Sequence, residues 1–514
     1  MWGTLNRVWG TPGGLPDMLS GLERTIQPAQ PKMHMKRYSL ALTFVLCFFV
    51  ATPLFAQPEF RGSEVFPRDE FAARRAKLMG QIGDAVAIVL GTTEPQGEMP
   101  FRQNSQFFYL TGVAEPRAVV IIDGRTKKTT LFLTPHSERQ EKSMFGPGLN
   151  PGADPAVLGV DAVISVADFP AAASAIRDEH RVIYTPFAAE VLGSQSQGDP
   201  TRYWKTNHDD PWDGRDSREA TFIAKLKAFA PEAEIKNLDP LENQLRLVKS
   251  PREIALIREA TDIAGLGIME AMRDAKPGMK EYELQADSEF VFKKHGALGG
   301  AYFALIATGQ NTYYTHYNRN TATLADGDLV QFDYAPDYKY YQSDVTRVFP
   351  ANGKFTARQR EAYEIYLKLY RALMTSIQPH QTASEIIRRA LPKMDAIMAN
   401  YKFTDPKIRN AAEKFVAEYR KQADRAKALG HWVGMEVHDA GPYDGSPLQP
   451  GEVFTIEPEM RIEEDHTGIR LEDMILITES GYENLSAFVP IEVGDIEKLM
   501  AQKGLSDAML KLRR

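Results

Sequence analysis

Between about Phe66 and Pro240 the chain alternates short apolar runs with amphipathic stretches. AVAIVLG (85–91), AVVIID (118–123), TTLFLTP and RVIYTP read as buried strands, because each is a brief apolar or β-prone run set between polar and turn-forming residues. The stretches between them have helical spacing, so this half predicts an α/β domain built on a mixed sheet. Residues 193–217 are polar and turn-rich and predict a loop. The pattern changes near 240–247, which marks a domain boundary. Just beyond it, Ser250, Pro251 and Glu253 supply a helix N-cap, a proline in the first turn and an acid at the third helical position. A long amphipathic helix follows, and the second half then predicts helices first and strands after them.

The strands of that second half carry the polar residues of interest. DLVQFDYAPDYKYYQSDVTRVF (328–349) reads as two strands with a turn at Pro336–Asp337, which would set Asp333 and Asp344 side by side. EVFTIEPEMRI and GIRLEDMILIT flank EEDHTG and read as a second hairpin, with Glu457 and Glu472 each in an apolar strand. GHWVGMEVHDAG, with His431 and His438, lies between the two hairpins. Unpaired carboxylates brought together in a medium of low dielectric are costly, and a divalent cation removes that cost. Any one of these acids alone would more often be a salt-bridge partner, and either histidine alone a structural residue. Four carboxylates and one imidazole in matched strand contexts point instead to two divalent ions, with manganese, cobalt or zinc better suited than copper. Such a metal pair suits hydrolysis.

Composition narrows the alternatives. With 43% apolar and 25% charged residues, the chain is an ordinary globular protein. At 514 residues it has room for two or three domains. A net charge of −7 with no basic stretch beyond a short N-terminal one argues against a nucleic-acid partner. Cys47 is the single cysteine, which excludes disulfides, thiolate zinc sites and a cysteine nucleophile. It sits in Tyr38–Phe55, an apolar run that follows Lys36 and Arg37 and ends at Ala56. This is the pattern of a secretory signal, with cleavage after Ala56. A membrane anchor is the other reading, although Pro53 interrupts the end of the run. Residues 1–32 show no periodic pattern and predict an over-extended, disordered start, with the true start at Met33 or Met35. Neither a G-x-S-x-G elbow nor a phosphate-binding G-x-x-x-x-G-K-[ST] loop occurs.

FRQNSQFFYLTG, LRLVKSPREIALIREA, THYNRN, GDLVQFDYAP, SDVTRVFPANGKFT, GHWVGMEVHD, FTIEPEM and IRLED follow one another in the chain. In that order they resemble the aminopeptidase P and prolidase family, the proline peptidases of the pita-bread fold, from about residue 66 to 495. The resemblance implies an α/β (α+β) chain with an aminopeptidase P-like N-terminal domain at 60–240 and a pita-bread metallopeptidase domain at 245–514. It also implies roles. Asp333 would hold one metal ion, Asp344 and Glu472 would bridge two, and His431 and Glu457 would complete the other. A bridging hydroxide would attack the carbonyl of the bond before proline. Glu457 would act as general base and then acid, and His438 would stabilise the oxyanion. His316 would orient substrate, and Arg470 would fix a metal-site carboxylate. Manganese is the metal implied, with zinc and cobalt also fitting.

Two positions depart from the family pattern. Lys427 stands where another histidine is common, four residues before His431, and Glu459 stands where glycine usually follows Glu457-Pro458. The expected protein is therefore an exported, periplasmic or secreted Xaa-Pro aminopeptidase. Its substrates would be peptides with proline second, it would have no stable membrane association after signal cleavage, and it would form a dimer or tetramer. Rival readings are a dipeptide-specific prolidase, a non-catalytic pita-bread binding protein, and a metal-free carbon–nitrogen hydrolase of the creatinase kind.

Overall fold

Apolar strands need both faces covered, and the first half of the chain does this with a six-stranded mixed sheet. The computed structural model describes residues 60–505 except 96, 98 and 143–147, so the expected signal segment and the stretch before it lie outside the described residues. The strands are β1 (Val86–Leu90), β2 (Val119–Asp123), β3 (Lys128–Leu133), β4 (Ala162–Ser165), β5 (Val182–Thr185) and β6 (Glu234–Asn237), in spatial order β4-β3-β2-β1-β5-β6. β1, β2 and β3 pair antiparallel, whereas β4, β5 and β6 join in parallel. The period of two divides the side chains between two cores. Val86, Ile88, Val119, Ile121 and Phe132 face one cluster with Ile183 and Leu226. Ala87, Val89, Val120, Ile122 and Leu131 face the main core, which continues without a break into the second half.

The segment 193–217 is not simply a loop, because Asp199–Asp209 is helical. Its surface is polar nearly all round, so no apolar stripe betrays it. Pairs along the helix support it instead, among them Arg202 with Asp199 and Lys205 with Asp209.

Helix Pro251–Asp274 starts as the sequence predicts, with Ser250 and Glu253 forming a reciprocal capping box. Helices and strands then interleave, contrary to the expected order. After β7 (Gly299–Gly300), β8 (Leu305–Thr308), β9 (Leu329–Asp333), β10 (Pro336–Tyr338), β11 (Tyr341–Gln342) and β12 (Thr346–Pro350) come the helices Ala357–Met374, Ala383–Asn400 and Pro406–Gln422. Only then do β13 (Val453–Ile456), β14 (Glu459–Ile462), β15 (Thr467–Arg470), β16 (Asp473–Thr478) and β17 (Gly481–Asn484) follow.

Both hairpins differ from expectation. Pro336 begins β10 instead of turning the chain, and the reversal falls at Lys339–Tyr340, both with positive φ (50° and 70°). The turn holds this unfavourable backbone because Tyr340 stacks on Phe108, with ring centroids 3.6 Å apart, and its hydroxyl accepts from Gln103 N. The second hairpin is split. β13 pairs with β16 and β14 with β15, so Glu457 and Glu472 lie in the breaks between strands, not within them. Pro458 has no N–H to continue the ladder. The Tyr366 hydroxyl fills the gap, donating to Pro458 O at 2.6 Å and accepting from Leu471 N at 2.7 Å.

Candidate metal centre

Three pieces of backbone converge on one spot. Asp333 ends β9, and Asp344 lies two residues before β12, whose Thr346 pairs with Asp333. A bridge from Thr346 to Glu472 ties this hairpin to the second one, through Glu472 N donating to Thr346 O at 3.1 Å. His431 comes alongside β13, where its carbonyl accepts from Thr455 N at 2.9 Å. Gly430 permits that approach, because a Cβ there would lie 1.9 Å from Thr455 O.

The result gathers all five predicted ligands. His431 Nε2 lies 3.4 Å from Asp344 Oδ2, 3.5 Å from Glu457 Oε1 and 3.6 Å from Glu472 Oε1. Asp344, His431 and Glu472 each offer a ligand atom, all within 4.8 Å of one another. The Tyr302 hydroxyl sits 2.7 Å from Asp333 Oδ1 and 2.6 Å from Asp344 Oδ1. Arg470 donates to Asp333 Oδ2, and Thr346 Oγ1 donates to Glu472 Oε2 at 2.8 Å. All but Glu457 are buried; its side chain is 30% exposed.

Burial and mutual repulsion dominate the electrostatics. Burial first, then the charges of Asp333 and Glu457, push Asp344 well above the usual carboxylate range. Glu472 is raised likewise, by burial and then by Asp344 and Glu457. Burial opposes the charge on Arg470, but Asp333 and Glu472 outweigh it and raise the guanidinium further. Burial also lowers His438, and His431, whose ring centroid is 4.0 Å away, adds to this, bringing it down to about 3. The residue as a whole is nevertheless exposed.

These residues fit divalent ions. Glu472 Oε1 is buried with no hydrogen-bond partner, and it faces the same small space as His431 Nε2. That is an unmet acceptor within a cluster of acids that lacks enough positive charge. Oxygen ligands with a single imidazole are the donor set of such ions.

His316 lies in an exposed turn, held through its neighbour because Arg470 Nη1 donates to Thr315 O at 3.1 Å. Lys427 is exposed, close enough to Asp444 to help stabilise its charge. Sequence reasoning missed Tyr302 and Thr346. Thr346 could have been found, since it stands two residues after Asp344 along an extended run. Tyr302, in GGAYFAL, offers no such signal.

The model for the N-terminal domain of aminopeptidase P matches residues 71–184, and that for metallopeptidase family M24 matches 255–479. The Xaa-Pro aminopeptidase of Escherichia coli is 32% identical over 451 residues, covering 84% of this chain and 98% of that enzyme. The chain belongs to the aminopeptidase P family. Aminopeptidase P of Escherichia coli, solved with the inhibitor Pro-Leu, shares 29% identity at a TM-score of 0.67 over 85% of this chain and 98% of that one. The Xaa-Pro dipeptidase of Pyrococcus horikoshii is 34% identical, but over only 268 residues, 52% of this chain. Membership of the aminopeptidase P family bears out the fold expected from sequence, a mixed α/β N-terminal domain followed by a pita-bread domain. It also makes the chain a metallopeptidase.

Proposed function

We propose that the protein is an exported Xaa-Pro aminopeptidase that removes the first residue from peptides with proline in second position. The observation that carries this reading is the pairing of an aminopeptidase P N-terminal domain with an M24 domain in which acids and one imidazole cluster around an unsatisfied carboxylate oxygen. Asp333 would serve one divalent ion, Asp344 and Glu472 both, and His431 and Glu457 the other, with manganese the first candidate. When bound, the ions supply Lewis-acid polarisation of the scissile carbonyl and a water acidic enough to act near neutral pH.

The chain's own residues do the rest. Glu457 is the least buried of the acids, so it can reach both solvent and substrate. It takes the proton of the attacking water and returns it to the proline nitrogen as the carbon–nitrogen bond breaks. His438 is neutral and donates a hydrogen bond to the carbonyl oxygen as negative charge develops there. Arg470 holds Asp333 in place by donating to its Oδ2. His316 orients the peptide.

Export rests on the pattern from Lys36 to Ala56, and a homo-oligomer, dimer or tetramer, completes the proposal. The substrate test mixes manganese-loaded protein with Arg-Pro-Pro and, separately, with Gly-Pro, and reads products by mass spectrometry. Free arginine with little dipeptide cleavage is expected. Cleavage of Gly-Pro alone would instead favour the dipeptidase reading.

A further inference from the structure

His316 makes no hydrogen bond of its own among the described residues, and it lies in an exposed turn. The hydrogen bonds that anchor this turn are made by its chain neighbours. The segment leading to it, the 3-10 turn Gly309–Tyr313 and then Thr315, is docked on the β14–β15 hairpin. Gly468 N donates to Thr312 Oγ1 at 3.1 Å, and the bare Cα of Gly468 allows the approach, since a Cβ would lie 2.3 Å from Thr312 O. Tyr313 donates to Glu463, and the Arg461 guanidinium sits 5.4 Å from the centre of the Tyr313 ring. Thr315 is held at both ends. Its carbonyl accepts from Arg470, as above. Its hydroxyl donates to Glu459 Oε2 at 3.0 Å and accepts from Arg461 Nη2 at 2.5 Å. Glu459 Oε2 also accepts from Arg461 Nη2 at 2.6 Å, so Glu459, Arg461 and the Thr315 hydroxyl form a closed triangle.

We infer that Glu459 is a positioning residue for the peptidase reaction: it fixes His316 by clamping Thr315. Glu459 stands opposite Arg470 in the β14–β15 register. The same two strands therefore anchor Asp333, through Arg470, and the turn that carries His316, through Glu459 and Arg461. The side chain of Glu459 is only 14% exposed, and its ion pair with Arg461 is a charge-assisted contact at the edge of the site. With a short side chain at 459, the Thr315 hydroxyl would lose its acceptor and keep only Arg461, itself then without its Glu459 partner. The reading of His316 as a substrate-orienting group comes from the proposed function; the clamp itself does not depend on it.

The test has a kinetic and a structural arm. Glu459→Ala is expected to lower kcat/KM on Arg-Pro-Pro by about tenfold, the loss of one charge-assisted hydrogen bond, mainly through KM, with metal content unchanged. Glu459→Gln keeps an acceptor for Thr315 and should recover to within about threefold of wild type. In a His316→Ala background, Glu459→Ala should change kcat/KM by less than about twofold, because the two act through one group. An equal loss in both backgrounds, or no loss in the wild-type background, overturns the inference. Amide hydrogen exchange of residues 309–317 is read without substrate and should speed up in Glu459→Ala. Unchanged exchange would count against the clamp, whereas an inactive wild type would count against the peptidase reading alone.

Discussion

Asp344→Ala is expected to abolish metal binding and peptidase activity together. Asp344 is buried, its Oδ1 meets Tyr302, and its Oδ2 is 3.4 Å from His431. Removing it takes away one of the two acids proposed to serve both ions. A neutral protonated carboxyl could not substitute, because a ligand must be deprotonated to bind. The loss in kcat/KM should be at least about a thousandfold, or about 4 kcal/mol of transition-state stabilisation. Elemental analysis after gel filtration should show the metal gone from the variant. The change also removes one of the mutually repelling acids, so the metal-free variant should be at least as stable as metal-free wild type. Full activity in this variant would show that the cluster is not the catalytic centre.

Arg347→Met should be the most destabilising single change near the site. Arg347 is wholly buried, and it donates to Asp473 Oδ1 at 2.7 Å, to Glu472 O at 2.7 Å, to Thr346 O at 2.9 Å and to Ser486 O at 3.0 Å. It is thus the bolt between the first hairpin and the second, placed directly behind Glu472. Burial alone would raise Asp473, yet Arg347, with Ser486 and Tyr370 donating to the same carboxylate, holds it below the usual range. Methionine would fill the space but leave the buried Asp473 carboxylate without its counter-charge and take from Glu472 O its guanidinium donor. Breaking such a pair costs about 3–5 kcal/mol, while replacing both partners with apolar groups recovers much of that. Urea unfolding should therefore show Arg347→Met far below wild type and Arg347→Met/Asp473→Leu well above the single variant. Equal midpoints for wild type and Arg347→Met would show that the bolt carries no load.

Much of the site was legible in the sequence because its acids stand in or directly beside apolar strand runs. Asp333 and Asp344 lie in β-prone runs that a hairpin could bring together, and the structure pairs Asp333 with Thr346, two residues after Asp344. The capping box at Ser250 was legible because it is local. What escaped depends on groups far apart in sequence. The gap at Pro458 is closed by Tyr366, ninety-two residues away, so no local pattern could reveal that Glu457 stands in a break. The Lys339–Tyr340 turn is paid for by stacking on Phe108, in the other half of the chain, while Pro336 carried the stronger local turn signal. Helix Asp199–Asp209 lacks the apolar stripe by which sequence patterning finds helices. Tyr302 and the Glu459–Arg461–Thr315 triangle were invisible for the same reason, since each is defined only by where distant segments meet.

The central claim is that this cluster, loaded with metal, removes a residue that precedes proline. The most direct measurement is a manganese titration of metal-free protein, following arginine release from Arg-Pro-Pro. The account predicts no release without metal and a rate that levels off at about two equivalents per chain. Full release by the metal-free protein, or none at any metal load, would contradict it.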